Sequence, residues 1–376
     1  MKTFTPLLSL LFCLLSQLCF AQVDADNSKI DEAVQQSGEW FIKGKDITSV
    51  SIGVYSRGEV FTHHFGELDE GQGNRPTDNT MYEIASVTKT MTGYLAARAV
   101  REGKIKLDDE ITDYLDGPYD NLSYDGTSIT IHHLLTHTSG LPTFLPEAMN
   151  EVFDDKKDRE VPINYQALEQ GYDKATFFQD LGKVVLASRP GERYAYSNAG
   201  AELVGYILEN VYQKSIEDLF KESIWEVNEM DNTCIQLNAQ QEAQLAKGYW
   251  LDNDTSSPHF ESNLWSTGYG VKTTLADIMK YVALQLHGED PIVQTSQEVL
   301  FDIAKGNSIA YFWNVRLDRY GKSFHHHGGT TGMQNWLFIF PKYDLGVSII
   351  TNHSDHATPG RLSKAVERIL RDIVPD

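Results

Sequence analysis

Short runs of β-branched and aromatic residues lie near both ends of the chain and are separated by turn residues, which is the pattern of β-hairpins. The four clearest runs are residues 47–55, 59–65, 335–340 and 345–351. Ser56-Arg57-Gly58 joins the first two runs and residues 341–344 join the last two, and both connections have the composition of tight reversals. We therefore predict that the four strands share one antiparallel sheet, followed by a helix over residues 359–373.

The middle of the chain changes to the spacing of amphipathic helices, with apolar residues recurring every three or four positions. The clearest sets are Val87, Met91, Tyr94, Leu95 and Ala99; Leu203, Tyr206 and Ile207; and Leu275, Ile278, Met279 and Val282. The predicted fold class is α/β, of the α+β kind, with an antiparallel sheet flanked by helices and a mostly helical domain inserted into it. Residues 22–75 and 305–376 are predicted to form the sheet subdomain and residues 76–304 the helical one, with the site where they meet.

Residues 146–183 are rich in charge and lack strong periodicity, with a run of seven charged residues at 154–160. We predict a solvated excursion from the fold. A lid or rim over the site is the functional alternative, because long loops often carry function.

The N-terminal segment has the features of a secretory signal peptide: Lys2, an apolar run from Leu7 to Phe20, and small residues before a cleavage point after Ala21. A membrane anchor is the alternative, but the run is shorter than the roughly 20 apolar residues that span a bilayer. A lipoprotein acylated at Cys19 is a further alternative. We predict a signal peptide over residues 1–21, a periplasmic or secreted protein, and no membrane span after its removal.

The composition restricts the partners. The chain of 376 residues carries a formal net charge of −21, so it is expected to repel nucleic acid. Removal of the signal leaves Cys234 as the one cysteine, which excludes an intramolecular disulfide. The expected ligand is a small-molecule or peptide substrate.

Ser86-Val87-Thr88-Lys89 is predicted to open a helix that runs to about Glu102. A spacing of three places the hydroxyl and the amine on one face of the first turn, near the unpaired N–H groups of the helix N-terminus. The amine can accept the serine proton if its pKa falls from about 10.4. The motif alone is weak, because a surface lysine would match it equally well.

A second candidate is Tyr196-Ser197-Asn198, which lies between the turn residues 190–193 and a helical run. Taken alone, this tripeptide is explained as well by a core tyrosine and an asparagine helix cap. The third candidate, residues 325–332, reads HHHGGTTG, and its glycines allow backbone N–H groups to approach a ligand. Adjacent histidines on an extended chain alternate faces, so this run is not expected to bind a metal.

The order and spacing of these motifs resemble the β-lactamase-related family, which includes class C β-lactamases, D-Ala-D-Ala carboxypeptidases, D-peptidases and esterases. The matching segments are residues 82–90, 133–142, 190–198 and 325–332. The resemblance implies a β-lactamase/transpeptidase-like, penicillin-binding fold. It places Ser-x-x-Lys on Ser86 and Lys89, Tyr-x-Asn on Tyr196 and Asn198, and Lys/His-Thr-Gly on His326, His327 and Gly328.

The roles that the resemblance implies are nucleophilic attack by Ser86 and proton transfer by Lys89 and Tyr196. Asn198 would hold the substrate amide, and the backbone N–H groups of Ser86 and Gly329 would form the oxyanion hole. The segment 133–142 is interpreted as structural. No metal or cofactor is implied.

Two departures from the family pattern affect substrate choice. His326 stands where efficient β-lactamases carry lysine, and His327 replaces the threonine that binds a substrate carboxylate. Because an unperturbed histidine loses its charge near pH 6.5, we expect any preference for carboxylate substrates to decline between about pH 6 and pH 8.

These observations predict a serine hydrolase that acts through an acyl-enzyme on an ester or amide, as a peptidase or esterase of the penicillin-recognising type. One alternative is a true β-lactamase. The other is a non-catalytic penicillin-binding sensor, which would be expected to lack at least one of the residues that move protons.

Overall fold

The computed structural model describes residues 27–155, 157–261 and 264–374. The predicted signal peptide, residues 1–21, lies outside the described residues. None of the helices in the described part of the chain combines the length and hydropathy needed to span a bilayer.

The strands in chain order are β1 (Ser49–Ser56), β2 (Glu59–Gly66), β3 (Met81–Glu83), β4 (Ser123–Tyr124), β5 (Thr127–Ser128), β6 (Gly248–Trp250), β7 (Ser256–Ser257), β8 (Lys272–Thr274), β9 (Phe301–Ala304), β10 (Asn307–Ile309), β11 (Asn314–Asp318), β12 (Gly321–Gly329), β13 (Gln334–Phe340), β14 (Leu345–Thr351) and β15 (His353–Ser354). Eight of them form one antiparallel sheet in the order β2-β1-β14-β13-β12-β11-β10-β9. The sheet joins the two ends of the chain directly, because β1 pairs with β14.

The α-helices are α1 (residues 27–41), α2 (Thr88–Arg101), α3 (Ile131–Leu135), α4 (Ala148–Glu151), α5 (Val161–Gln170), α6 (Lys174–Leu181), α7 (Asn198–Tyr212), α8 (Ile216–Phe220), α9 (Ala239–Gln244), α10 (Ser266–Tyr269), α11 (Leu275–Leu286), α12 (Pro291–Ser296) and α13 (Thr358–Ile373). Most of them lie between β2 and β9 in the chain. The predicted fold class is confirmed.

The four predicted strands and the C-terminal helix are confirmed within one or two residues at each end. The pairing of β1 with β2 runs from Ser49 opposite Gly66 to Ser56 opposite Glu59, so the turn at Arg57 and Gly58 closes the hairpin as expected. Gly58 has a φ of +91°, which glycine adopts without the steric cost that a Cβ brings.

Helix α1 was not predicted, and it covers one face of the sheet together with α13. Val34 and Phe41 of α1 are fully buried against β1 residues such as Ile52 and against Leu362 of α13. The Ser37 hydroxyl donates a hydrogen bond of 2.8 Å to the carbonyl of Ala365, which ties the two helices together. The spacing of Ile30, Ala33, Val34, Ser37 and Phe41 carried the helical signal.

The opposite face of the sheet packs on the helices of the middle region. Helix α11 lies against β1 and β14, and Met279 of α11 fills the space over Gly53, where a Cβ would come within 2.5 Å of its sulfur. Strand β12 packs on the turn that carries Ser86. The sheet strands come from residues 49–66 and 301–351, while the division into subdomains at residues 75 and 305 stays a prediction.

The interpretation of residues 146–183 as a solvated excursion is wrong, and Phe153 and Tyr165 of this segment line the cavity described below, as the alternative interpretation, a rim of the site, expected. The segment contains α4, α5 and α6, and its buried side chains include Met149, Tyr165, Phe177 and Leu181. These apolar residues flank the charged run and are too widely spaced to form a continuous helical stripe. The sequence pattern therefore did not predict the helices. Burial of their aromatic and aliphatic side chains against the rest of the fold is what holds the helices in place.

Candidate active site

Ser86 lies on a short 3-10 turn, Ala85–Val87, that leads directly into α2. The prediction that the helix begins at Ser86 is therefore corrected by two residues. Ala85 has a φ of +46°, in the left-handed region that costs a residue with a Cβ about a kilocalorie per mole or more. This backbone bend presents Ser86 at the surface of a cavity while both of its neighbours, Ala85 and Val87, are buried.

Lys89 is fully buried one turn along, and its amine has three hydrogen-bond partners. Lys89 Nζ lies 3.1 Å from Ser86 Oγ, 2.6 Å from Asn198 Oδ1 and 2.5 Å from the carbonyl oxygen of Gly268. Burial lowers the pKa of Lys89 well below its usual value, against an opposing effect of the Glu202 carboxyl. The amine is therefore held against the serine hydroxyl in an environment that favours its neutral, proton-accepting form.

Tyr196 and Asn198 are placed by the start of α7. Ser197 caps this helix, since its Oγ accepts the N–H of Gly200 at 2.9 Å, so Asn198 is not the cap that its sequence position suggested. Burial raises the pKa of the Tyr196 phenol above the usual value, and its interaction with Ser86 opposes the rise. Lys89 Nζ lies 5.0 Å from the centre of the Tyr196 ring.

The three adjacent histidines lie on β12 and alternate between its faces as predicted. The rings of His325 and His327 pack on Trp336, at centroid distances of 5.9 and 4.9 Å. The ring of His326 instead faces Tyr196 at 6.5 Å. Among the described residues, no cluster of three His, Cys, Asp or Glu side chains is arranged to hold a metal ion.

His326 is neutral at physiological pH, which corrects an expectation from the sequence. Its Nδ1 donates to the carbonyl of His327 at 2.8 Å, so in the neutral ring Nε2 is an acceptor, and it has no protein partner in the described part of the chain. Burial, reinforced by the nearby Lys89 amine, lowers the pKa of His326 to about 3. The expectation that His326 loses its charge between pH 6 and pH 8, and that a preference for carboxylate substrates declines with it, is therefore wrong.

The two glycines after the histidines allow β12 to approach the serine turn. A Cβ at Gly328 would come within 2.1 Å of the carbonyl oxygen of Ile84, two residues before Ser86. Gly329 and Ser86 both line the same cavity. The assignment of their backbone N–H groups to an oxyanion hole stays a prediction.

The cavity in front of Ser86 has a volume of about 530 Å³ and is called the site cavity below. It lies between the helical region and the end of β12. The side chains and backbone that line it are those of Ser86, Phe144, Phe153, Tyr165, Tyr194, Tyr196, Asn198, Trp250, Phe260, Tyr269, Asn314, His326, His327, Gly329, Thr330, Thr331, Gln334, Asp355 and His356. The structure thus brings together Ser86, Tyr196, Asn198, His326, His327 and Gly329, with Lys89 buried beneath them.

His137 was assigned to a structural segment, and the structure places it directly beneath the proton-moving groups. Its ring lies 4.4 Å from that of Tyr196, and its Nδ1 accepts the N–H of Ser197 at 3.2 Å. Burial, reinforced by the proximity of Lys89 and His326, lowers its pKa well below the usual value, so the ring is a neutral support for Tyr196.

Sequence reasoning also missed Glu202 and the carbonyl of Gly268. Glu202 lies one turn after Asn198 on α7 and is 2% exposed. Its helical position next to a recognised motif residue was a usable signal. No sequence signal could have identified the Gly268 carbonyl, because every residue has a carbonyl. Only the fold determines which carbonyl accepts a hydrogen bond from the buried amine.

A serine hydroxyl held against a buried lysine amine and a half-buried tyrosine, at the junction of an antiparallel sheet with helices, defines the class of β-lactamase-type serine hydrolases. The family model described as Beta-lactamase matches residues 30–369, so the chain belongs to the Beta-lactamase family. The resemblance drawn from the four sequence motifs is therefore confirmed.

The sequence identity between this chain and individual relatives is low. The chain is 27% identical over 345 residues to Protein flp of Staphylococcus aureus (strain MRSA252), which covers 87% of this chain and 63% of that protein. It is 26% identical over 267 residues to a Beta-lactamase of Providencia stuartii, covering 69% and 60%. The chain thus spans less than two thirds of the length of either relative.

Two solved structures share the fold. A beta-lactamase/D-alanine carboxypeptidase from Yersinia pestis, complexed with citrate, superposes with a TM-score of 0.77 at 20% identity and covers 92% of this chain and 99% of that one. One from Pseudomonas syringae gives 0.76 at 18% identity over the same shares.

Proposed function

We propose that this protein is a serine hydrolase that forms an acyl-enzyme on Ser86 with an ester or amide substrate, as a peptidase or esterase. The observation that carries the proposal is the buried Lys89 amine, 3.1 Å from Ser86 Oγ, in surroundings that lower its pKa. A surface lysine would explain the sequence spacing but not this burial. Tyr196, which lines the site cavity and whose pKa is influenced by the same serine, supports the proposal.

In the acylation step, Ser86 Oγ attacks the substrate carbonyl carbon and its proton passes to the Lys89–Tyr196 pair. The carbonyl oxygen takes up negative charge, which the N–H groups of Ser86 and Gly329 would stabilise. The bond to the leaving alcohol or amine then breaks, and the proton from the pair goes to that group. A water molecule then attacks the acyl carbon and gives its proton to the same pair. The bond to Ser86 Oγ breaks, the proton returns to Oγ, and the acid is released.

A true β-lactamase is the second candidate, and the name of the Providencia stuartii relative favours it. The neutral His326 and His327 at the positions where that chemistry uses lysine and threonine support the peptidase or esterase instead. A non-catalytic sensor is the third candidate. The contacts among Ser86, Lys89 and Tyr196 support catalysis over that role, because a sensor has no need of a proton relay.

The test is covalent labelling of the natural protein and of Ser86→Ala with a fluorophosphonate and a fluorescent penicillin. We expect one label per chain, located on Ser86 by peptide mass spectrometry, and no label in the variant. Ser123→Ala, which removes an exposed hydroxyl that is not part of the site-cavity lining, is the matched control and should label normally. Labelling that persists in Ser86→Ala would overturn the proposal.

The signal-peptide pattern of residues 1–21 supports export, and from it we infer that the enzyme works in the periplasm or outside the cell. Its substrate is then an exported or external ester or amide. Fractionation of cells that express the full chain, followed by mass spectrometry of the mature N-terminus, tests this inference.

A further inference from the structure

The helical wall of the site cavity is aromatic. Five of its rings contact one another, with centroid distances of 5.2 to 6.3 Å along the series Phe153, Tyr165, Phe260, Tyr269 and Phe144, and they are called the aromatic cluster below. The hydroxyls of Tyr165 and Tyr269 bond each other at 2.6 Å. Because these hydroxyls are already paired, the cluster offers a ligand ring surface more than hydrogen bonds.

The aromatic cluster is tied to the catalytic groups through the backbone. Tyr269 follows Gly268, whose carbonyl receives the Lys89 amine. Phe144 follows Thr143, whose carbonyl accepts the N–H of Asn198 at 2.8 Å. A substrate group that packs on the cluster therefore lies beside the reacting bond, where its binding energy can act on the chemical step.

The lining of the site cavity also includes Asp355, which follows strand β15. Its Oδ1 accepts the N–H groups of Ala357 and Thr358 at 2.8 and 2.6 Å, at the start of α13. Burial alone would raise the pKa of Asp355, but the neighbouring His353 ring and hydrogen bonds from Thr358 and Ala357 hold it well below the usual range. The carboxylate is therefore charged at any physiological pH.

The described lining of the site cavity contains neither lysine nor arginine, and its basic side chains are those of His326, His327 and His356. The ring of His353, behind the lining, lies 3.9 Å from the Asp355 carboxylate. Burial lowers the pKa of His327 as it does that of His326, so both rings are neutral. Two basic residues of the neighbouring strands are engaged outside the site cavity: Arg316 pairs with Asp318 at 3.3 Å, and Lys322 donates to the carbonyl of Gln297 at 3.3 Å.

We propose that the site cavity selects esters or amides that carry an aromatic or bulky apolar group for the aromatic cluster and an uncharged or amine-bearing end, not a free carboxylate, for the part of the lining at Asp355. The inference rests on the proposed acyl-enzyme function and adds the substrate class. It makes a carboxylate-terminated peptide a poor substrate.

The test uses four ester substrates that differ in one feature at a time. Phenylacetyl-glycyl-D-lactate and phenylacetyl-glycyl-D-lactamide differ in the charge of the terminal group, and the two acetyl-glycyl analogues lack the ring. We expect kcat/KM to be at least about tenfold higher for the lactamide than for the lactate. It should also be at least about tenfold higher for phenylacetyl than for acetyl, since burying a ring removes a large apolar area from water.

Two variants connect these preferences to their residues. Asp355→Asn removes the charge but keeps a side chain that caps a helix well. It should reduce the lactamide preference about five- to tenfold. The control variant Asp116→Asn, at an exposed position, should not reduce it. Phe153→Ala should reduce the phenylacetyl preference, whereas Phe61→Ala, on β2 and outside the site cavity, should leave it unchanged.

The outcomes separate this inference from the proposed function. If the fluorophosphonate does not label Ser86, the proposed function fails. If Ser86 is labelled but the lactate esters are preferred, or all four esters are inert, the proposed function stands and the substrate class is wrong. A lactamide preference that Asp355→Asn leaves intact would overturn the role of Asp355.

Discussion

Glu202→Gln is expected to stabilise the protein increasingly as the pH rises. Glu202 Oε2 accepts hydrogen bonds from the N–H and the hydroxyl of Thr267, at 3.2 and 2.9 Å, in a buried position behind Lys89. Burial raises the pKa of Glu202 from 4.5 to about 8, against the opposing effect of those hydrogen bonds. The natural fold therefore favours the protonated carboxyl, whereas glutamine keeps an oxygen acceptor for Thr267 and has nothing to ionise.

The direction of this pH dependence follows because the pKa of Glu202 is higher in the folded state than in the unfolded state. The stabilisation that the protonated carboxyl provides is fully present below about pH 4.5 and is lost as the pH rises through about 8. At about 1.36 kcal/mol per pH unit, the whole interval corresponds to about 5 kcal/mol. About 3 to 4 kcal/mol of it falls between pH 5 and pH 8.

The assay is urea denaturation of the mature natural protein and of Glu202→Gln at pH 5, 6, 7 and 8, followed by tryptophan fluorescence. The free energy of unfolding of the variant should gain about 3 to 4 kcal/mol relative to the natural protein across this range. Exposed Glu192→Gln is the matched control for a change of surface charge, which is expected to alter stability by no more than about 0.5 kcal/mol. A difference between the natural protein and Glu202→Gln that stays constant with pH would refute the reasoning.

Lys89→Met and Tyr196→Phe should each lower kcat by at least about a hundredfold, and the double variant should be little slower than the slower single one, because both groups belong to one proton relay. Fully multiplicative losses in steady-state kinetics would argue for independent roles. Because the His326 ring stays neutral, the lactamide-to-lactate ratio of kcat/KM should be level between pH 6 and pH 8, and a marked drift in that ratio would point to a charged imidazole. EDTA should leave ester hydrolysis unchanged, since a hydroxyl, an amine and a phenol supply the nucleophile and the relay; activity lost to EDTA and restored by Zn²⁺ would contradict that mechanism.

The local pattern of the sequence determined the strands, the C-terminal helix and the family. Alternating apolar residues in β1 and β14 and glycine at the turn after Ser56 act within a few positions, so the chain itself displays them. The spacing of Ser86 and Lys89 is likewise fixed by helical geometry. The same reading failed over residues 146–183, where isolated residues such as Tyr165 find their packing partners far away in the chain.

Only the tertiary structure decided the charge states and the substrate surface. Lys89 meets Asn198 and Gly268 across 109 and 179 positions of sequence, and burial by such distant contacts is what lowers its pKa. His326 is an ordinary histidine in the sequence and a neutral acceptor in the fold, because desolvation depends on everything packed around it. The sequence therefore determined which groups are present in the site, and long-range packing determined their protonation and which substrates they face.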